Sequence, residues 1–255
     1  MKRVAVLLHG QPRSFVEGHS LLNKYLEEQP NIRVDFFFHT WTLPPGEIYH
    51  CAPWRTIPSH ELVPTENVID KLIHLYSPIA YSFEEQITFD DSIIKDTIVY
   101  NNSSSALKTQ ASNVLSYLYS RQQVRNLLKT HIEKTGTDYD FVLATRFDVP
   151  FHLTIPIHDL LPSKTYVHDY FRIRGRILLP DTPIFGQTDV ILKLLNIYED
   201  IGSVFNTTNL VDKLKSYGED TNMCGECLIT AAFLLHFNNF DNIEFFKYLP
   251  SERWT

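Results

Sequence analysis

Two charged side chains close the stretch 138–149, which reads DYDFVLATRFDV. Residues 141–145 form an apolar run ending in small side chains, a composition typical of a strand buried on both faces of a parallel sheet. Arg146 and Asp148 would follow at the carboxyl end of this strand, and in open α/β sheets the ligand crevice lies outside these ends. The pair is therefore a candidate ligand site. An ordinary salt bridge at the end of a strand is the alternative.

A second candidate site follows the first apolar run of the chain, in Gly10-Gln11-Pro12-Arg13-Ser14. Gly10 permits close approach of the backbone to a ligand, and the guanidinium group of Arg13 carries a fork of donors suited to phosphate or carboxylate. A turn that joins a strand to a helix also presents backbone N–H groups to an anion. The segment predicts an anion-binding turn. A tight turn capped by Ser14, with Arg13 on the surface, is the alternative.

Three further polar residues stand where they can reach such a crevice. His39 follows the apolar run 34–38 and can donate to a ligand or take part in chemistry, or else it packs on Trp41. Arg121 falls on or near the polar face of a long helical pattern, so it points either to the crevice or to solvent. Glu226 lies in the first turn of a predicted helix, where the dipole favours a carboxylate, and it is a candidate general base.

The hydrophobic pattern predicts the elements that position these residues. Apolar runs predict strands over 2–9, 34–38, 79–83, 141–145 and 166–169. Apolar residues at three- and four-residue steps predict helices over 15–28, 66–76 and 106–133, and two more that begin near 188 and 225. Gly136 is placed to end the third helix. Strands that alternate with helices indicate an α/β fold with a mainly parallel sheet.

Composition narrows the class of protein. A formal net charge of -7 in 255 residues argues against a general nucleic-acid binder, which needs a basic stripe. The apolar run at the N-terminus is interrupted before a signal sequence is complete, and no run reaches the ~18 apolar residues of a membrane span. Three cysteines suggest a reducing compartment. We expect a cytoplasmic protein without a transmembrane segment, in a bacterium or in the host of a virus.

Taken together, the motifs resemble a known family. The chain carries GQPR after the first strand, FFHTW at the end of the second, YSR in the long helix, YDFVLATRFD in the central strand, IFGQTD, and a late helix that opens with Cys-Gly-Glu. This succession, which spans most of the chain, resembles bacterial and viral glycosyltransferases of the GT-A type. The resemblance implies a Rossmann-like GT-A domain over 1–255, with a nucleotide-sugar-binding half over about 1–150 and an acceptor-side half over about 151–255.

The resemblance also implies roles for the candidate residues. A nucleotide-sugar donor would be bound by Gly10, Gln11, Arg13, His39, Arg121, Arg146 and Asp148. Such enzymes commonly carry Asp-x-Asp to position a divalent cation; here Arg146 replaces the first aspartate, so Asp148 would bind Mn²⁺ or Mg²⁺ alone, and the metal would be weakly bound or dispensable. For an inverting reaction, Glu226 is the first choice and Asp169 the second for the base that deprotonates a hydroxyl of a glycan or glycoconjugate acceptor.

Two other functions stay open. Pro12-Arg13-Ser14 also occurs in the phosphate loop of sulfotransferases that use PAPS, although Phe15, Val16 and Glu17 replace the small donors that follow there. A non-catalytic nucleotide- or glycan-binding module of the same fold is the second alternative, because Arg146 departs from the metal motif. A P-loop NTPase is excluded, since the chain has no Gly-Lys-Ser/Thr.

Overall fold

A computed structural model describes residues 1–49, 62–102, 111–149, 155–168, 179, 182–206, 212, 225–237 and 239–246. The strands in this part of the chain are β1 (Lys2–Gly10), β2 (Ile32–Thr42), β3 (Ala80–Glu85), β4 (Phe141–Arg146), β5 (Thr165–His168), β6 (Ile184–Gly186) and β7 (Ile243–Phe246). The α-helices are α1 (Phe15–Glu27), α2 (Val68–Tyr76), α3 (Ile98–Asn102), α4 (Ala111–Thr135), α5 (Thr188–Leu194), α6 (Ile201–Asn206) and α7 (Gly225–Phe237). Short 3₁₀ turns lie at Asp91–Ile93 and Ile157–Asp159.

The strands form one seven-stranded sheet in the order β3-β2-β1-β4-β6-β5-β7. The four strands from β3 to β4 run parallel. Strand β6 is antiparallel to both β4 and β5, and β7 is again parallel to β5. The chain thus has an α/β architecture with a mostly parallel sheet flanked by helices, which confirms the fold class predicted from the pattern of strands and helices.

Both faces of β1 are buried, which explains its continuous apolar run. Side chains alternate along a strand, so Val4 and Val6 face the layer that holds α1 and α2. Ala5 and Leu7 face the other layer, where α4 covers the sheet. The central strands are therefore fixed between two apolar layers. Successive side chains at their carboxyl ends alternate between the same two faces of the sheet.

One boundary differs from the predictions and another agrees with them. Strand β2 continues through Thr42, because Thr40 and Trp41 pair with β3, so His39 lies within the strand instead of after it. Helix α4 ends at Thr135, where Gly136 adopts a φ of 66° and donates its N–H to Ile132 at 2.8 Å, as predicted. The edge strand β7 was not predicted.

Candidate functional site

Three side chains meet on one face of the sheet at the carboxyl ends of β2, β1 and β4. His9 is paired in register with His39 on one side and with Arg146 on the other. In a parallel sheet, residues in register point to the same face. This face is the one covered by α4. The carboxyl ends of these three strands therefore place two histidines and an arginine side by side, with α4 packed against β1 and β2.

Asp148 joins the two arginines that were predicted to form the site. Arg13 donates to Oδ2 of Asp148 at 2.9 Å. Arg146 donates to the same carboxylate with Nε at 2.9 Å and with Nη2 at 2.6 Å. The side chains of Arg13 and Asp148 are only 9% and 10% exposed. A buried carboxylate shared by two guanidinium groups fixes both arginines and leaves one formal positive charge among the three side chains.

Gly10 forms the turn that leads to Arg13. Its φ of 95° lies in the region that glycine adopts without strain. Its N–H donates to the hydroxyl of Ser120 at 2.8 Å, and its carbonyl accepts from the hydroxyl of Thr40 at 2.9 Å. The next carbonyl, that of Gln11, accepts from the N–H of Arg13 at 2.9 Å. The turn is thus held on both sides before it reaches the guanidinium group.

His39 supports this turn through Ser120. Its Nδ1 lies 2.7 Å from the hydroxyl of Ser120, and its Nε2 lies 3.3 Å from a carboxylate oxygen of Glu84. The ring also packs edge-on against Trp41 with centroids 5.0 Å apart. Burial lowers the pKa of His39 to about 4, although the nearby Glu84 acts in the opposite direction. His39 is therefore a neutral ring within a hydrogen-bonded network. Its packing on Trp41 is the alternative that the sequence left open.

Arg121 is buried, which excludes the solvent-facing alternative. Only 1% of the residue is exposed. Its Nη1 donates to the hydroxyl of Tyr117, and its guanidinium carbon lies 5.2 Å from the centroid of the Tyr117 ring. A buried arginine on α4 adds a further positive charge to the covered face of the sheet.

The structure does not test the roles of the two predicted bases. Glu226 lies in the first turn of α7, where its carbonyl accepts from the hydroxyl of Thr230 at 2.8 Å. Helix α7 packs against α4, α5 and α6. Asp169 lies outside the described residues. The role of both carboxylates stays a prediction.

Sequence reasoning missed His9 and Ser120. His9 ends an apolar run directly before Gly10, and a histidine at the end of a buried strand beside a predicted ligand turn was the available signal. Ser120 stands next to Arg121 on α4 and accepts from Gly10 while it contacts His39. Both lie completely buried. They connect the turn, the sheet and the helix.

The surroundings of Asp148 do not fit a divalent cation. Both of its oxygens accept from guanidinium groups, so a cation would meet two positive charges at this carboxylate. Within the described ranges, no group of three or more His, Cys, Asp or Glu side chains is arranged to hold a metal ion. The guanidinium N–H donors around Asp148 suit a bound anion instead.

Comparisons with known proteins give limited similarity. No protein-family model matches the sequence. A search of curated proteins also found no match. Among solved structures, the chain is similar to one titled "PaToxG Glycosyltransferase", with 11% sequence identity and a TM-score of 0.37 over 93% of this chain and 69% of that one. In the described part of the chain, no helix is both long and apolar enough to cross a membrane.

Proposed function

We propose that the chain is a glycosyltransferase that moves a sugar from a nucleotide-diphosphate sugar to a hydroxyl of a glycan or glycoconjugate. The observation that carries this proposal is the pair of guanidinium groups that Asp148 holds at the carboxyl ends of β1 and β4. This is the edge where open α/β sheets bind their ligands. The succession of motifs from GQPR to RFD, which resembles GT-A glycosyltransferases, supplies the class of donor.

The chemistry requires positive charge at this position. The acceptor oxygen forms a bond to the anomeric carbon while the bond from that carbon to the phosphate oxygen breaks, and the nucleoside diphosphate leaves with the electron pair. Negative charge develops on the phosphate oxygens as it leaves. Arg13 and Arg146 stabilise this charge, and because their positions are set before the donor arrives, little reorganisation is needed.

We assign the proton of the acceptor hydroxyl to a carboxylate. Glu226 is the first candidate and Asp169 the second, as the sequence suggested. Glu226 is the first choice because it lies in the first turn of α7, where the helix dipole favours a carboxylate. No step is assigned to a metal, because the arginines around Asp148 supply the charge that a cation would otherwise provide.

A ligand panel tests the proposal. We would measure the melting temperature with UDP-, GDP-, CMP- and dTDP-sugars and with PAPS, each with Mn²⁺ or with EDTA, because a ligand that binds the folded state raises that temperature by mass action. We expect one class of nucleotide sugar to stabilise the protein in EDTA as well as in Mn²⁺. Stabilisation by PAPS alone would instead identify the sulfotransferase alternative, and donor binding without transfer to any acceptor would identify the binding module.

Two arginine variants test where on the protein the stabilising donor binds. Arg13→Gln removes a guanidinium group from the site, whereas Arg33→Gln removes one from the side of β2 where its side chain is 55% exposed and lies 3.6 Å from Asp35. We expect Arg13→Gln to abolish stabilisation by the donor and Arg33→Gln to retain it. Equal stabilisation of the two variants would remove the turn after β1 from the donor site.

A further inference from the structure

His9 is completely buried, yet its ring has no hydrogen-bond partner among the described residues. Its exposed fraction is 0%, and neither Nδ1 nor Nε2 makes a hydrogen bond in that part of the chain. The ring contacts Tyr117 edge-on, with centroids 5.3 Å apart, which satisfies neither nitrogen. Buried polar atoms are almost always hydrogen-bonded, so two unpaired nitrogens in one ring indicate a partner that the described residues do not supply.

The place of His9 in the sheet limits what that partner is. His9 stands beside Arg146 in register, and Arg146 is one of the two arginines that hold Asp148. On the other side it stands beside His39, whose two nitrogens are already engaged by Ser120 and Glu84. Of the two adjacent histidines on this face, His9 is thus the one whose ring nitrogens have hydrogen-bonding capacity left for a ligand.

The charges around His9 favour an anion as its partner. Burial, and then the positive charges of Arg121 and Arg146 together with His39, lower the pKa of His9 well below its ordinary value. The ring is therefore neutral and carries one N–H donor and one acceptor nitrogen. A cation at this position would be repelled by both arginines. An anionic oxygen would be attracted by them and would accept the N–H.

We propose that His9 donates its ring N–H to a phosphoryl oxygen of the diphosphate group that binds beside Arg146 and Arg121. This inference rests on the proposed function and deepens it, because it places the diphosphate on the α4 face of the sheet and adds a neutral donor to the arginines. Arg13, on the turn after β1, then contacts the same group, because Asp148 holds it next to Arg146. His9 is a ligand-contacting residue in this arrangement.

Inorganic pyrophosphate is the probe, because it carries the diphosphate without base or sugar. We would measure its affinity by calorimetry for the unchanged protein, for His9→Leu, which removes both nitrogens, and for His9→Gln, which keeps an N–H donor. A hydrogen bond to a charged group is worth roughly a ten- to hundredfold change in affinity. We expect His9→Leu to bind pyrophosphate more weakly by that factor and His9→Gln to recover part of the loss.

His131 supplies a matched control, because it lies on α4, the helix that covers the face of the sheet where His9 lies. It lies toward the far end of α4, contacts Phe37 with ring centroids 5.5 Å apart, and its Nε2 also has no hydrogen-bond partner among the described residues. His131→Leu therefore makes the same change away from the carboxyl edge of the sheet. We expect it to leave the affinity for pyrophosphate unchanged. Equal affinity in His9→Leu and the unchanged protein overturns the inference, as does failure of the unchanged protein to bind pyrophosphate.

A spectroscopic measurement covers the case in which His9→Leu does not fold. Imidazole resonances of the unchanged protein would be recorded by ¹H–¹⁵N NMR, with His9 assigned by its absence from the His9→Gln spectrum. Pyrophosphate should shift the His9 resonances, and no shift overturns the inference. If pyrophosphate binds through His9 but no nucleotide sugar binds, the proposed function fails and the anion site stands. If a nucleotide sugar binds and His9→Leu binds pyrophosphate normally, the function stands and His9 is excluded.

Discussion

Gly18 of helix α1 packs directly against the backbone carbonyl of Phe147. A Cβ atom added at Gly18 would lie 1.8 Å from that oxygen and 3.0 Å from the carbonyl carbon. Phe147 stands between Arg146 and Asp148, and the N–H of Gly18 donates to the carbonyl of Ser14 at 2.9 Å. The contact therefore sets the distance between the turn that carries Arg13 and the segment that carries Asp148.

We expect Gly18→Ala to destabilise the protein and to weaken donor binding together. The added methyl group meets backbone, which cannot rotate away, so α1 or the end of β4 must shift. Overpacking of this kind lowers the free energy of unfolding by about 1–3 kcal/mol, and we expect the upper end. Urea denaturation measures the stability, and the shift in melting temperature with pyrophosphate measures the binding.

Gly202→Ala is the control for this substitution. Gly202 is an exposed residue of α6, and apart from its chain neighbours and the backbone of its own helix no atom lies within 4 Å of the position that its Cβ would take. Alanine is the better helix former by roughly 1 kcal/mol, so this variant should be as stable as the unchanged protein or more so. If Gly18→Ala behaved like Gly202→Ala, the close packing of α1 on Phe147 would be disproved.

Asp148→Ala should abolish turnover while the protein stays folded. The substitution leaves Arg13 and Arg146 close together without the carboxylate that they share. Removing one partner of a buried ion pair lowers the free energy of unfolding by about 3–5 kcal/mol, within the 5–15 kcal/mol typical of a folded domain. Transfer of radiolabelled sugar reports turnover, and circular dichroism reports folding.

Asp159→Ala separates the effect of the site from that of removing any carboxylate. Asp159 lies in the second 3₁₀ turn, its side chain is 60% exposed, and its partner His158 is equally open to solvent. Exposed pairs contribute little to stability. This variant should keep both stability and turnover. Full turnover in Asp148→Ala would remove Asp148 from the site.

The sequence predicted the architecture because buried parallel strands have a composition of their own. The apolar runs that became β1 and β4 were recognised from their composition, and the helix that became α4 was recognised from the spacing of its apolar residues. The extent of β2 was not, because Thr40 and Trp41 belong to the strand through their pairing with β3. Pairing of this kind depends on residues distant in the chain, and local periodicity does not report it.

The position of the candidate site in the fold was also predicted only in part. Arg13, Arg146 and Asp148 were each expected at the carboxyl edge of the sheet, and they lie there in contact. That one carboxylate binds both arginines was not predicted, since it depends on how the turn after β1 faces the end of β4. Arg121 lies on a helix that mixes polar and apolar residues on its buried face, so its burial could not be read from the helical pattern.

The unfolding free energy should fall steeply on mild acidification, partly because of His39. Its pKa in the folded protein is lowered from 6.5 to about 4, so the unfolded chain takes up the proton first. Between these two values each such group removes about 1.4 kcal/mol of stability per pH unit as the pH falls. His39→Gln should reduce this slope by about one proton. Urea denaturation from pH 7 to 4.5 measures it.

His9 contributes a slope of its own, because its pKa is also lowered. The free energy of unfolding of His39→Gln should therefore still decrease as the pH falls. The surface histidine His158, with a side chain that is 56% exposed, provides the control, and His158→Gln should follow the unchanged protein throughout. An identical slope in His39→Gln and the unchanged protein would mean that His39 is charged when folded.

Glu226→Gln should retain donor binding and lose sugar transfer. The substitution keeps the size of the side chain at the start of α7 but removes the charge that accepts the acceptor proton. Loss of a positioned base lowers the rate by roughly 10²–10⁴-fold, whereas the arginines that hold the diphosphate are unchanged.

Glu133→Gln, at a side chain 62% exposed near the end of α4, is the control and should leave both properties intact. Stabilisation by donor together with single-turnover transfer measures the two properties separately. Normal transfer in Glu226→Gln would move the base elsewhere, with Asp169 the next residue to substitute, and loss of donor binding would place Glu226 at the diphosphate instead of the acceptor.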